Sequence, residues 1–189
     1  MKTLIAACAA ALMSVSSFAA AQEMRLPLSD FAMTVRIHDH SSGHEQEMQM
    51  RHRSGDFRME GEFQGQSAIV LVNPVERMST ILVNMQGTRM AIEMPMGDEV
   101  SLPLADERFG DVVGNDTVAG EPCTIYRVED EDIPGGEALG CMTDDNIVLR
   151  VDIPDRGTAF EATHFSRASQ DASLFTVPAG YQRMRMPGR

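Results

Sequence analysis

The chain has 189 residues, 28 acidic against 16 basic side chains, a net charge of −12, and 43% hydrophobic residues with no tryptophan. That length suits one domain with a substantial core. The acidity excludes nucleic-acid backbones and anionic bilayer surfaces as electrostatic partners.

Met1-Lys2-Thr3 gives a short positive start, residues 4–15 are apolar, and Ala19-Ala20-Ala21 has the small-x-small pattern that a signal peptidase cleaves. The expectation is a precursor exported to the periplasm, cleaved after Ala21, with residues 22–189 forming a single domain. The apolar run falls short of the roughly 20 residues that a membrane helix needs, so no span is expected in the mature chain. Ile5-Ala6-Ala7-Cys8 approximates a lipoprotein box, but cleavage there would leave too short an apolar segment for export, which uses about 7 to 15 residues.

Period-two alternation dominates the mature chain. Met33, Val35 and Ile37 alternate with Thr34, Arg36 and His38. Met48, Met50 and His52 alternate with Gln49, Arg51 and Arg53, and beyond Ser54-Gly55 the pattern resumes with Phe57, Met59, Gly61 and Phe63. A two-residue Ser-Gly loop predicts a hairpin pairing Arg53 with Asp56, His52 with Phe57, Met50 with Met59 and Met48 with Gly61. That register leaves Gln49, Arg51, Arg58 and Glu60 in water.

Further strands are expected over 67–73, 77–84 and 88–94, and a short helix over 103–109, with Pro103 in its first turn and Gly110 ending it. A second set of strands is expected over 123–128, 140–143, 147–153 and 160–165, joined by turn formers such as Asp144-Asp145-Asn146 and Asp155-Arg156-Gly157. The acidic run 129–132 reads as a solvated loop. Strands joined in sequence by short turns predict a mainly β fold with little helix, built on a large antiparallel sheet curled or closed to bury one face.

Removal of the leader takes Cys8 with it and leaves Cys123 and Cys141, which an oxidising compartment should pair. The Cys-x-x-Cys spacing of redox-active pairs is absent. The expected disulfide is structural, worth roughly 3 kcal/mol in the chain-entropy picture.

Catalytic signatures are missing: there is no Gly-x-Ser-x-Gly elbow, no phosphate-binding glycine loop and no His-Glu-x-x-His pair. The reading is therefore non-enzymatic, without a cofactor. Fifteen methionines are an unusual filling for a β domain. They suit either a flexible core or a concave apolar face that accepts a lipid, a lipidated protein or another hydrophobic ligand. The expected lining of such a face is Met33, Met48, Met50, Met59, Met90 and Met94, with Phe57 and Phe63.

The alternative is a copper or zinc site at the turn His38-x-His40-x-x-x-His44, helped by the pairs Met48/Met50, Met94/Met96 and Met184/Met186. Alternating residues share a strand face with or without a metal, so a solvated histidine turn is the simpler account. A third reading is a module that recognises another envelope protein.

The C-terminal half adds a resemblance. Val118-Ala119-Gly120, Cys123-Thr124-Ile125-Tyr126-Arg127-Val128 and Gly140-Cys141-Met142-Thr143-Asp144-Asp145 are followed by Ile147-Val148-Leu149-Arg150 and by Leu174-Phe175-Thr176-Val177-Pro178-Ala179-Gly180-Tyr181. This succession resembles the short exported proteins of unknown function grouped with the LolA/LolB-like lipoprotein-carrier superfamily. The resemblance implies an open, strongly curved antiparallel half-barrel whose concave face can hold acyl chains. The carriers open with an amphipathic helix packed in the mouth of the half-barrel. Here residues 22–30 are short and contain Pro27, which implies a half-barrel without that lid.

Overall fold

The computed structural model describes residues 25–40, 43–63, 65–96, 109–129, 133 and 135–186. The leader expected over 1–21 lies outside them, as does the helix expected over 103–109 except for Phe109, which opens a strand. Among the described residues, twelve strands form one sheet. The first six are β1 (Phe31–Asp39), β2 (His44–Arg53), β3 (Asp56–Phe63), β4 (Gln66–Asn73), β5 (Met78–Met85) and β6 (Thr88–Pro95). They are followed by β7 (Phe109–Val118), β8 (Glu121–Glu129), β9 (Glu137–Met142), β10 (Val148–Ile153), β11 (Gly157–Ser166) and β12 (Gln182–Arg185).

The strand order is β12-β6-β5-β4-β3-β2-β1-β11-β10-β9-β8-β7, antiparallel throughout except for the parallel pair β12–β6. Two meanders, β1 to β6 and β7 to β11, meet where β1 pairs with β11. The expected mainly β, open and curved sheet is therefore what the chain forms, and it does not close into a barrel.

Connectivity favours the curvature. β6 and β7 are consecutive in sequence but ten places apart in the sheet, about 48 Å if the sheet were flat. At about 3.5 Å per residue, the link from Pro95 to Phe109 would have to be fully stretched to cover that span. The devices that bend the sheet sit on one side. Register shifts interrupt β1–β11, β10–β11, β9–β10 and β7–β8, whereas the ladders from β1–β2 through β5–β6 run unbroken. Such bulges increase local twist and bend the strand that carries them.

Curling gathers Phe31, Met33, Val35, Met50 and Phe57 from the first meander into one core with Val118, Leu149, Phe160 and Ala162 from the second. The Cys123–Cys141 disulfide lies in this core, bridging β8 and β9 with Cα atoms 5.4 Å apart. The described N-terminal approach, residues 25–30, is not helical: Leu26 packs against the core, and the Leu28 N–H donates to the Asp145 carbonyl at 3.0 Å.

The β2–β3 hairpin has the register expected from its alternation, with Arg53 opposite Asp56, His52 opposite Phe57 and Met50 opposite Met59. Ser54 and Gly55 both adopt positive φ, 50° and 98°, as a tight two-residue hairpin turn requires. One expectation for this hairpin fails. Arg58 is not in water but only 8% exposed.

The cause is a strap that runs from the end of β11 across the outer face toward β6. Arg53 Nε donates to the Gln170 carbonyl at 3.1 Å, and Arg58 Nη1 donates to the Leu174 carbonyl at 2.8 Å. A 3-10 turn at Ala172–Phe175, capped by the Asp171 side chain, carries the second of these anchors, the Leu174 carbonyl. Val177 and Tyr181 then pack on Leu71, Leu82 and Ala91. The strap's contacts on the outer face explain the continuous apolar run Ala68-Ile69-Val70-Leu71-Val72, which puts apolar side chains on both faces of β4.

Candidate ligand-binding face

Directly opposed residues of an antiparallel ladder share a face, so the register defines the inner surface row by row. One row runs Met50, Met59, Val70, Ile81, Ile92 from β2 to β6, and the next runs His52, Phe57, Val72, Ser79, Met94. A third joins Gly61, Ala68, Val83 and Met90, with Met48 lying against Gly61. A Cβ at Gly61 would stand 3.4 Å from Met48 Cγ, in van der Waals contact with it. On the other side of β2, Met33 pairs with Met50 and Val35 with Met48.

The register thus brings Met33, Met48, Met50, Met59, Met90, Met94 and Phe57 onto one face. Their burial divides them. Met33, Met48, Met50 and Phe57 are packed in the core, Met50 at 2% exposure, whereas Met59, Met90 and Met94 are half-buried. Phe63 ends β3, and its side chain lies outside the described residues.

Val70, Ile81, Val83 and Ile92 share the half-buried part of this face. Sequence reasoning passed over them by following the methionines. The signal was present in the spacing of 67–73 and 77–84, but those strands are apolar on both faces and gave no clean alternation.

Among the described residues, few polar side chains stand on this surface, chiefly His52 and Ser79. His52 is 1% exposed, and its ring lies between Phe31 and Phe57, with centroids at 5.4 and 4.8 Å. Nδ1 donates to the Ser29 carbonyl at 2.9 Å, and Nε2 accepts the Gly55 N–H at 3.0 Å. Because an amide N–H can only donate, this geometry selects the neutral Nδ1–H tautomer. Burial pushes the imidazole below its ordinary value, against smaller raising effects from the Ser29 carbonyl, Asp30 and Asp56. The imidazole is a structural support of the hairpin turn rather than a general base facing a cleft.

The histidines of the metal alternative are only partly gathered. His38 and His40 stand edge to face with ring centroids 4.7 Å apart, and His44 begins β2 opposite Asp39. No group of three or more His, Cys, Asp or Glu side chains among the described residues is arranged to hold a metal. Charged clusters elsewhere tie strands together. Arg167 donates in two-pronged fashion to Asp145 at 2.9 and 3.0 Å, which holds that carboxyl well below the usual carboxylate range. Arg150 joins Asp116 on β7 to Asp152 on β10 at 2.7 and 2.8 Å.

The outer face carries a groove of about 460 Å³ lined by Glu47, Gln49, Glu60, Ile69, Leu82 and Tyr181, where the strap leaves part of β2 to β5 uncovered. No helix among the described residues is long and apolar enough to cross a membrane.

No protein-family model matches this sequence, and no curated protein matches it significantly. Solved structures do match in shape. An uncharacterized conserved protein from Thermus thermophilus superposes with a TM-score of 0.57 at 13% identity, covering 84% of this chain and 91% of that one. MucB superposes with a TM-score of 0.52 at 15% identity, covering 82% of this chain and 60% of that one. The Pseudomonas aeruginosa MucA/MucB complex gives 0.51 at 15% identity, with 82% and 58% covered. What they share with this chain is the fold. The chain spans less than two thirds of the MucB chains.

Proposed function

We propose that this chain is a non-enzymatic, exported binding protein of the LolA-like kind, and that the half-buried part of its inner face, on β3 to β6, takes a lipid or an acyl chain of a lipidated protein. One observation carries the reading. On β4 to β6 the strap packs Val177 and Tyr181 over Leu71, Leu82 and Ala91 on the outer face, while the inner face, apart from the buried Ala68, Val72 and Ser79, presents the half-buried apolar side chains Val70, Ile81, Val83, Met90, Ile92 and Met94. A contiguous apolar surface of this sort is the usual mark of a binding site.

Met59, Met90 and Met94 give that surface adaptable, polarisable side chains suited to flexible chains of varied length. Met33, Met48, Met50 and Phe57 form its packed floor. The disulfide and the leader-like N-terminus support export to an oxidising compartment. A protein partner is the second reading, favoured because MucB, similar in fold, has been solved in complex with MucA(peri).

The test is titration of the oxidised protein with a fluorescent fatty-acid probe, together with native mass spectrometry of protein released from the periplasm without detergent. The double variant Met59→Ser, Met90→Ser should bind the probe about tenfold more weakly, since losing about 1.4 kcal/mol of apolar contact is a factor of ten. Met50 is too deeply packed for this purpose. Equal affinity of wild type and double variant would refute the assignment of the face.

A further inference from the structure

The free side of β6 is occupied by the chain's own last strand. β12 pairs with it in parallel, Gln182 beside Met90 through Arg185 beside Glu93, and the Met186 N–H donates to the Glu93 carbonyl at 2.8 Å. Glu93 is the focus of the contact: Oε1 accepts from Arg183 Nη1 at 2.7 Å, and Oε2 lies 3.5 Å from Arg185 Nη2. The Glu93 side chain is only 14% exposed. A carboxylate held in that position is stabilised by a cation, and the β6 edge offers unpaired backbone groups that a strand can pair with.

The occupant is weakly held. All four residues of β12 are exposed, Arg183 and Arg185 at 61% and 76%, so their ion pairs are largely screened by water. Parallel pairing is also slightly less stable per residue than antiparallel pairing. The apolar anchors of the strap, half-buried Val177 and Tyr181, end one residue before β12 begins. The grip on β12 therefore comes from edge hydrogen bonds and Glu93, the two features that an incoming strand would also use.

We propose that the β6 edge, with Glu93, is a docking site for an extended segment of a partner protein with arginines two residues apart, and that β12 is its intramolecular occupant, displaced when the partner binds. The alternation follows from strand geometry: residues two apart on β12 present both arginines to one carboxylate. The net charge of −12 favours a basic partner over a second copy of this acidic chain. This inference is independent of the inner-face reading, since β12 and Glu93 lie at the sheet edge and outer face.

The experiment uses the full chain and a labelled peptide copying residues 178–186, with binding followed by fluorescence anisotropy. In the wild type the peptide competes with a tethered strand at an effective concentration in the millimolar range. Arg183→Glu with Arg185→Glu, which turns the tail away from Glu93, should raise peptide affinity at least about tenfold. Adding Glu93→Gln to that variant should abolish the gain. Amide exchange on the wild type gives a second measurement: residues 182–186 should exchange faster than Tyr181 and faster still with excess peptide.

Peptide affinity unchanged by the charge reversal, tight binding that survives Glu93→Gln, or exchange at 182–186 as slow as in β5 would each overturn the proposal. A dimer that the peptide dissociates would overturn the foreign-partner assignment in favour of strand exchange between copies.

Discussion

Acidification from about pH 7.5 to 5 should destabilise the fold through His52. The imidazole is buried between Phe31 and Phe57, and both ring nitrogens are committed, Nδ1 as donor to Ser29 and Nε2 as acceptor from Gly55. Protonation at Nε2 would place two N–H groups against each other at the Ser54–Gly55 turn. Burial of the ring holds the folded-state pKa below 6.5, against smaller raising effects from the Ser29 carbonyl, Asp30 and Asp56. The unfolded chain takes up the proton first, so stability is full above pH 6.5 and falls as the pH drops below it.

One proton gives a slope of at most about 1.4 kcal/mol per pH unit, so the loss at pH 5 is bounded at about 2 kcal/mol. Carboxylates held low by arginine, such as Glu60 beside Arg58, respond only at lower pH, below an ordinary value of 4.5. Asp56, raised from 3.8 by burial, contributes with the opposite sign at the acid end. Urea unfolding at half-unit pH intervals measures the slope, and His52→Asn, which lacks a titratable ring, provides the control. Stability that is flat from pH 7.5 to 5, or equally steep in the variant, would refute the argument.

Two further perturbations test the fold. Arg58→Met should free the middle of the strap, speeding amide exchange around 172–177 and costing about 1.5–3 kcal/mol, the range for a hydrogen bond made by a charged donor; unchanged exchange would mean that Val177 and Tyr181 suffice to hold it. Replacing Cys123 and Cys141 together by serine should lower stability by roughly 3 kcal/mol in urea titrations, with the Met59/Met90 face still able to bind the probe. A loss confined to a few tenths would show that the β8–β9 ladder alone constrains that loop.

Much of the first meander was legible because its strands are polar on one face. Gln49, Arg51 and Glu60 against Met50, His52 and Met59 leave little freedom of register, and Ser54-Gly55 fixes the turn. β7 escaped because Gly110, Gly114, Asn115 and Asp116 are poor strand formers, and an edge strand needs no buried alternation. β12 escaped for a related reason: its four residues bury nothing.

Arg58 was misplaced because its cover comes from Leu174, 116 residues further on, and local pattern carries no record of such a contact. The candidate face was legible as a set of methionines but not in its division into packed floor and half-open wing. That division depends on where the sheet curls and which face the strap covers, both set by tertiary arrangement.

The unequal burial of the methionines has a chemical consequence in an oxidising compartment. Met85, Met184 and Met186 are exposed and should be the first to become sulfoxides, with little effect on the fold. Met33, Met48 and Met50 are shielded from oxidant while the core stays packed. Once sulfoxidised during a transient opening, they would be polar groups that the core cannot take back. A brief, reversible fluctuation would then become lasting damage, so the lifetime of this protein under oxidative stress should follow how often its sheet opens rather than how much sulfur it contains.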